Sequence, residues 1–363
     1  MDEMTELRRF RSAVPVEPLG ERQTERVFAE FHAPSSRARA RRIWTRRRSL
    51  GLGVLVAAGA AASVAVVPLG DEKPERPTGP PSPQMLLIAA AERAERDLVR
   101  SGAFWHQRFR ETRQYWARGR NGERYVIEDR RITELWTPTR NPDSAVISVR
   151  ELGAGPATPA DRAAWQRAGS PSDWPIGNGM RLKAKPDRRQ PVVRSQRGRG
   201  GFRFMGEPVT LAELQRLPAD PQGLRTLILR GRKQAVDTGR APRENGPSEA
   251  ETVFLETSVL LRLPAPPRTR GAAYRLIASL PGLRYEGRAR DPLGRPGPAV
   301  DLPGGRAATG ADEMSGVTRR LIVDPKTSHL LAWQDHTTGS RRQLVTSTAY
   351  ESIGWTDTPP PRG

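Results

Sequence analysis

The longest apolar stretch of the chain is Leu50–Leu69, LGLGVLVAAGAAASVAVVPL, twenty residues without a charge. A helix of that length rises about 30 Å, the thickness of a bilayer hydrocarbon core, so the stretch predicts a transmembrane helix. Its nine Leu and Val residues favour insertion by ~3–5 kcal/mol in total, while Gly51, Gly53, Gly59, Ser63 and Pro68 weaken the sum. Ahead of it, Met4, Leu7 and Phe10 mark one short helical face and Val27, Phe28 and Phe31 another, separated by Pro15 and Pro18. So few apolar groups cannot bury a core, and residues 1–49 read as a segment that stays loose or folds onto a partner.

After the apolar run, Asp71–Pro83 (DEKPERPTGPPSP) is a Pro-rich charged spacer. A helix is predicted from Ser82-Pro83 through MLLIAAAERAERDLVR to Gly102. Alternating stretches at Phe104–Tyr115, Arg124–Trp136 and Ser144–Leu152 predict antiparallel strands, with Asn121-Gly122 placed for a hairpin turn. Residues 153–180 are irregular, with Trp165 and Trp174 as packing anchors. Helices are predicted at Thr210–Leu217, Leu224–Arg232, Ala250–Leu263 and Thr269–Leu280. Strands follow at Leu283–Ala289, Ala299–Leu302, Thr318–Val323, His329–Thr337 and Gln343–Trp355. Three strands, helices and further strands make an α+β domain over 84–357, built on an antiparallel sheet with one packed face and ending in a tail at 358–363.

Charge fixes the direction of the predicted anchor. Residues 37–48 hold seven arginines, among them Arg41, Arg42, Arg46, Arg47 and Arg48, and no acid. By the positive-inside rule the N-terminus is cytoplasmic and the domain after residue 70 extracytoplasmic. A cleaved export signal is the competing interpretation, since Arg46-Arg47-Arg48-Ser49-Leu50 loosely resembles a twin-arginine motif and Ser63-Val64-Ala65 a cleavage site. Nearly fifty residues before the apolar run favour the uncleaved anchor.

The whole chain of 363 residues carries 60 basic and 40 acidic side chains, a net +20, with only five lysines. A second basic cluster, Arg181–Arg203, contains Arg181, Lys183, Lys185, Arg188, Arg189, Arg194, Arg197, Arg199 and Arg203 against Asp187 alone. With residues 37–48 contributing +7 and 181–203 contributing +8, the other 328 residues share +5. The basic tract reads as a loop, with anionic lipid or an acidic wall polymer as its candidate partner. Its extracytoplasmic placement argues against nucleic acid.

Several short motifs occur in order along the chain: the opening MDEMTELRRFR, the arginine-flanked anchor, Leu211–Leu217 with Pro218, ASLPG at 278–282, DPLGRPG at 291–297 and LIVDP at 321–325. Together they resemble a family of uncharacterised actinobacterial single-pass membrane proteins often encoded beside alternative sigma factors. The resemblance implies a cytoplasmic regulatory partner in a sigma-factor pathway and no particular activity. The element order is also similar, at fold level only, to periplasmic half-barrel domains of the lipoprotein-carrier type.

No catalytic constellation is legible. The chain has no cysteine and four histidines, which removes disulfides, thiolate nucleophiles and cysteine-based metal sites. DPLGRPG lacks the strand–loop–helix context of a phosphate loop and reads as a turn, as does Asp324-Pro325-Lys326-Thr327. His329 and His336, placed on one strand, would sit about 23 Å apart on opposite faces. No GxSxG, SxxK or HExxH motif occurs. The expectation is a non-enzymatic sensing or ligand-binding protein with no cofactor and no metal.

Overall fold

The computed structural model describes residues 82–361 apart from 142–143, 178–179, 187–190, 196–200, 243–245, 306–315, 325 and 339–342. The predicted anchor at 50–69, its flanking arginines Arg41, Arg42, Arg46, Arg47 and Arg48, and the segment 1–49 lie outside the described residues. Among the described residues no helix is long and apolar enough to cross a membrane.

The architecture is α+β, dominated by one antiparallel sheet. It begins with α1 (Pro83–Glu95), β1 (Phe104–Arg118), β2 (Arg124–Pro138) and β3 (Val146–Pro156). Next come α2 (Pro159–Arg167), β4 (Asp173–Gly177), β5 (Met180–Lys183), β6 (Val192–Ser195), β7 (Phe202–Phe204) and β8 (Glu207–Val209). Four helices follow: α3 (Leu211–Leu214), α4 (Pro221–Asp237), α5 (Glu249–Leu260) and α6 (Pro267–Ala278). The chain closes with β9 (Arg284–Arg290), β10 (Pro296–Gly304), β11 (Val317–Val323), β12 (Leu330–Thr338) and β13 (Gln343–Thr356).

Nine strands form the sheet in the order β6-β3-β2-β1-β13-β12-β11-β10-β9. The first and last strands therefore pair at its centre. β1–β3 and β9–β13 are consecutive antiparallel neighbours, as in a meander, whereas α2, β4 and β5 intervene between β3 and its neighbour β6. Only the stretch from β6 to β9 must carry the chain from one edge to the other, and α3–α6 lie in it. Their apolar sides pack with α1 onto one sheet face in a single core that includes Leu87, Ile228, Phe254, Ile277, Val300, Leu321 and Tyr350. We call this the inner face.

Helix starts follow capping chemistry. Ser82, Thr158, Thr210, Asp220 and Ser248 each cap a helix through the side chain, and proline opens α1, α2 and α4 just inside the cap. The first helix stops at Glu95, short of the predicted Gly102. The Arg96 and Asp97 amides tighten onto the Arg93 and Ala94 carbonyls, and the Asp97 carboxylate is drawn to Arg270 at 2.7 Å. The Asn121-Gly122 hairpin forms as expected, with Gly122 at φ +82° and the Asn121 side chain accepting from the Glu123 amide.

The irregular stretch contains more order than its composition suggests. There α2 and the β4–β5 ribbon cover a second core of Ala117, Tyr125, Ile127, Ala154 and Trp174, where the Trp174 indole donates to the Tyr125 hydroxyl at 3.0 Å. Two further readings are corrected. The basic tract is not one loop: β5 pairs with β4, β6 edges the large sheet beside β3, and β7 pairs with β8. His329 precedes β12 rather than sharing it with His336, because Ser328 at φ +58° and the Asp324–His329 backbone bond turn the chain there.

DPLGRPG is a turn with a structural clasp. The fully buried Asp291 carboxylate accepts from the Leu293 and Arg295 amides at 2.9 and 2.8 Å and from the Arg295 guanidinium. Arg295 also donates to the Leu331 and Tyr350 carbonyls, tying the β9–β10 hairpin to β12 and β13.

Candidate functional site

Strand pairing places charge where a packed face calls for apolar groups. Along the inner face, β1 presents Trp105, Gln107 and Phe109, then Glu111 and Arg113, then Tyr115 and Ala117. The opposed β2 residues are Thr137, Leu135 and Thr133, then Arg131 and Asp129, then Ile127 and Tyr125. The charged middle separates the two cores. Its row extends from strand to strand: Asp129 opposes Arg113, Arg113 opposes Thr346, Thr346 opposes Asp335, and Asp335 opposes Arg319. Directly opposed residues share a face, so a polar belt crosses five adjacent strands.

The belt contains close contacts and unsatisfied ones. Arg131 Nε lies 2.8 Å from Glu111, whose carboxylate also accepts from the Thr133 hydroxyl at 2.9 Å. Above the sheet, Arg262 donates to the Tyr350 hydroxyl at 3.1 Å, and the Met205 amide donates to Glu256 at 3.0 Å. Arg319 reaches up to Glu251 on α5 at 2.6 Å. By contrast, Arg319 Nε and Asp335 Oδ1 are 4.0 Å apart, and neither has a hydrogen-bond partner among the described residues. The two atoms form an ion pair without hydrogen-bond geometry, and the Asp335 side chain, 37% exposed, is open to water.

The acids divide into two electrostatic classes. Burial pushes Asp129 above its ordinary value despite the pull of Arg131 and Arg113. Burial likewise raises Glu256 against the Met205 amide and Arg262, and Asp335 against Arg319. Glu251 is the opposite case. Burial would raise it, but the Ser248 and Gly305 amides and Arg319 outweigh burial and hold it at about 2. Tyr350 first, then Glu256 and Glu111, hold the Arg262 guanidinium in its charged form.

These shifts have a testable sign. The folded chain binds protons on Asp129, Glu256 and Asp335 more tightly than the unfolded chain does. That contribution to stability is complete below about pH 4 and is lost as pH rises through the raised values. Glu251 contributes above its ordinary value and loses its contribution only as pH falls through about 2. Melting temperature should therefore fall as pH rises from 4 through the raised values, and D129N/E256Q/D335N should flatten that fall. Equal slopes in the two proteins would show that these acids are not coupled to folding.

The basic residues singled out from the sequence are dispersed. Arg181 and Lys183 lie on β5, Lys185 just beyond it, Arg194 on the edge strand β6 and Arg203 on β7. Arg181 is paired with Asp173 at 2.8 Å, and Arg203 donates to the Gly206 carbonyl inside its own hairpin. Lys185 is exposed and Arg194 half-buried. Arg188, Arg189, Arg197 and Arg199 lie outside the described residues.

None of the belt residues stood out in the sequence. The signal was nevertheless present, because Glu111, Arg113, Asp129 and Arg131 occupy the same strand parity as Trp105, Phe109, Tyr125 and Ile127. Among the described residues, no group of three or more His, Asp and Glu side chains is placed to hold a metal. A shallow depression of about 540 Å³ lies at the β1–β2 hairpin tip, lined by Trp116, Ala117, Arg118 and Arg124, with Arg124 stacked 5.0 Å from the Trp116 ring. Compared with known proteins, the chain matches no family and no curated protein.

Proposed function

We propose that the protein is a single-pass membrane protein whose extracytoplasmic half-barrel domain binds or senses a ligand at the inner-face belt. In this proposal residues 1–49 engage a cytoplasmic regulatory protein, in the setting of sigma-factor control. The observation that carries it is the belt itself. Charged groups here occupy strand positions that apolar side chains fill on either side, and holding a sheet together does not require them. Opposed polar groups along one sheet face, with three acids shifted upward by burial, are the makings of a recognition site.

Topology and partner are tested together. Protease added outside intact cells should degrade the domain and leave residues 1–49 protected. The reverse pattern would overturn the orientation. Residues 1–49 used as bait should recover a specific cytoplasmic protein, and recovery of none would reduce that segment to an anchor flank. For the belt, native mass spectrometry of the full chain should detect a bound non-protein mass that D129N/D335N loses.

A second function, binding an acidic wall polymer or anionic lipid through the basic tract, draws on the exposure of Lys185 and the edge position of Arg194. Deleting 181–203 is an unsound test because it removes β6 and most of β7 and β5. Lys185→Gln/Arg194→Gln leaves the strands intact and should weaken salt-sensitive cosedimentation with wall material. Unchanged sedimentation would remove this function.

A further inference from the structure

Large apolar side chains are seldom fully exposed in isolation from any use, and here they are concentrated. Among the described residues, five are exposed: Met85 at 58%, Ile88 at 41%, Leu98 at 77%, Val99 at 82% and Met180 at 37%. Four of these fall between residues 85 and 99, on α1 and the connection that follows it. The inward side of the same helix is buried through Leu87, Ala91 and Ala94, so Met85 and Ile88 belong to a face that the domain does not cover, and Leu98 and Val99 are exposed just beyond the helix end.

Glu92 is paired with Arg96, Glu95 with Arg275 and Asp97 with Arg270. The acids of the segment are thus engaged, and the exposed Arg93 and Arg100 supply charge beside Leu98 and Val99. Apolar side chains near exposed arginines that form no ion pair among the described residues match an interface with acyl chains below anionic head groups.

Chain length points to the same occupant. Only residues 70–81 separate the apolar run ending at Leu69 from Ser82. Twelve residues of any conformation span at most about 43 Å, and α1 adds about 20 Å. Leu98 and Val99 are within reach of the bilayer surface if Leu50–Leu69 anchors the chain.

We propose that α1 and the Arg96–Ser101 connection dock on the outer surface of the anchoring bilayer, with Leu98 and Val99 in the acyl boundary and Arg93 and Arg100 on anionic phospholipid. The docking rests on the anchor proposed above. It would hold the first helix of the domain, and hence the α1–α6 pair joined by Glu95–Arg275 and Asp97–Arg270, in a fixed relation to the membrane.

The absence of cysteine makes the test direct, since one substitution creates a unique labelling site. Full-length Val99→Cys and Arg288→Cys, each carrying an environment-sensitive fluorophore, are reconstituted into nanodiscs containing brominated lipid. Arg288 is an exposed position on the edge strand β9. The label at 99 should be strongly quenched in phosphatidylglycerol discs and that at 288 should not. Arg93→Gln/Arg100→Gln should lower lipid contact about fivefold per arginine, as should exchange to phosphatidylcholine discs in part. No quenching at 99 in a chain that resists carbonate extraction would overturn the docking and leave the anchor standing. Release of the chain by carbonate would overturn both. Shielding of the label in detergent that grows with protein concentration would assign the face to self-association instead, and overturn the proposal.

Discussion

Arg319→Leu should destabilise the domain by about 3–5 kcal/mol, the range for stripping one partner from a buried ion pair. Its partner Glu251 occupies the third position of α5, with a side chain only 8% exposed. The carboxylate accepts from the Ser248 amide at 2.8 Å, completing a capping box, and from the Gly305 amide at 2.7 Å at the end of β10. One group therefore caps a helix and ties that helix to two strands. Without Arg319 it would remain buried and charged against two amides alone. Gly304 lies beneath the pair, and a Cβ there would come within 2.3 Å of Glu251 and 2.6 Å of Arg319. Gly304→Ala should consequently reproduce part of the loss by displacing the same contact. Urea denaturation measures both. A double Glu251→Leu/Arg319→Leu variant should recover only part of the loss, because the Ser248 and Gly305 amides would still lack their acceptor. A loss under 1 kcal/mol for Arg319→Leu would show that the pair is solvated and not a structural tie.

Much of this framework was legible because it depends on local chemistry. The predicted strand at Thr318–Val323 and the helix at Ala250–Leu263 correspond to β11 and α5 within one to three residues at each end. Alternation, capping residues and Asn-Gly or Asp-Pro turns act over a few positions, and each left its mark. What the sequence could not supply was neighbourhood. Nothing local says that β1 pairs with β13, yet that pairing aligns Arg113 with Thr346 and so continues the belt toward Asp335. The basic tract failed for a related reason. A run of charge looks uniform as text, whereas Phe202 and Phe204 at its end are buried in the main core and draw Arg203 into a separate ribbon. The exposed Leu98 and Val99 were hidden by the opposite error, since their periodic spacing extended the predicted helix past its observed end at Glu95.

Replacing the belt rather than breaking it separates its structural use from its functional one. Arg131→Leu alone should cost about 3–5 kcal/mol, because Glu111, only a quarter exposed, would lose its counter-ion. The buried Thr133 hydroxyl also depends on Glu111 as its acceptor. A variant that removes all three polar partners, Glu111→Leu/Arg131→Leu/Thr133→Val, strands none of the three, though Asp129 loses the pull of Arg131 and Arg262 that of Glu111. The variant would extend the apolar surface of the main core past Phe109, while Arg113 and Asp129 still stand between it and the second core. Buried ion pairs exchanged for apolar groups of similar volume are often neutral or stabilising by about 1–4 kcal/mol. We expect that outcome here, measured as a higher midpoint in urea, together with loss of the bound mass from the full chain. A triple variant that falls apart would mean that the pair specifies the packing of β1 on β2. A triple variant that is more stable and still retains the bound mass would take Glu111, Arg131 and Thr133 out of recognition. Gain of stability with loss of binding is the combination that a site kept for its ligand requires, since the charges then cost the fold more than they contribute to it.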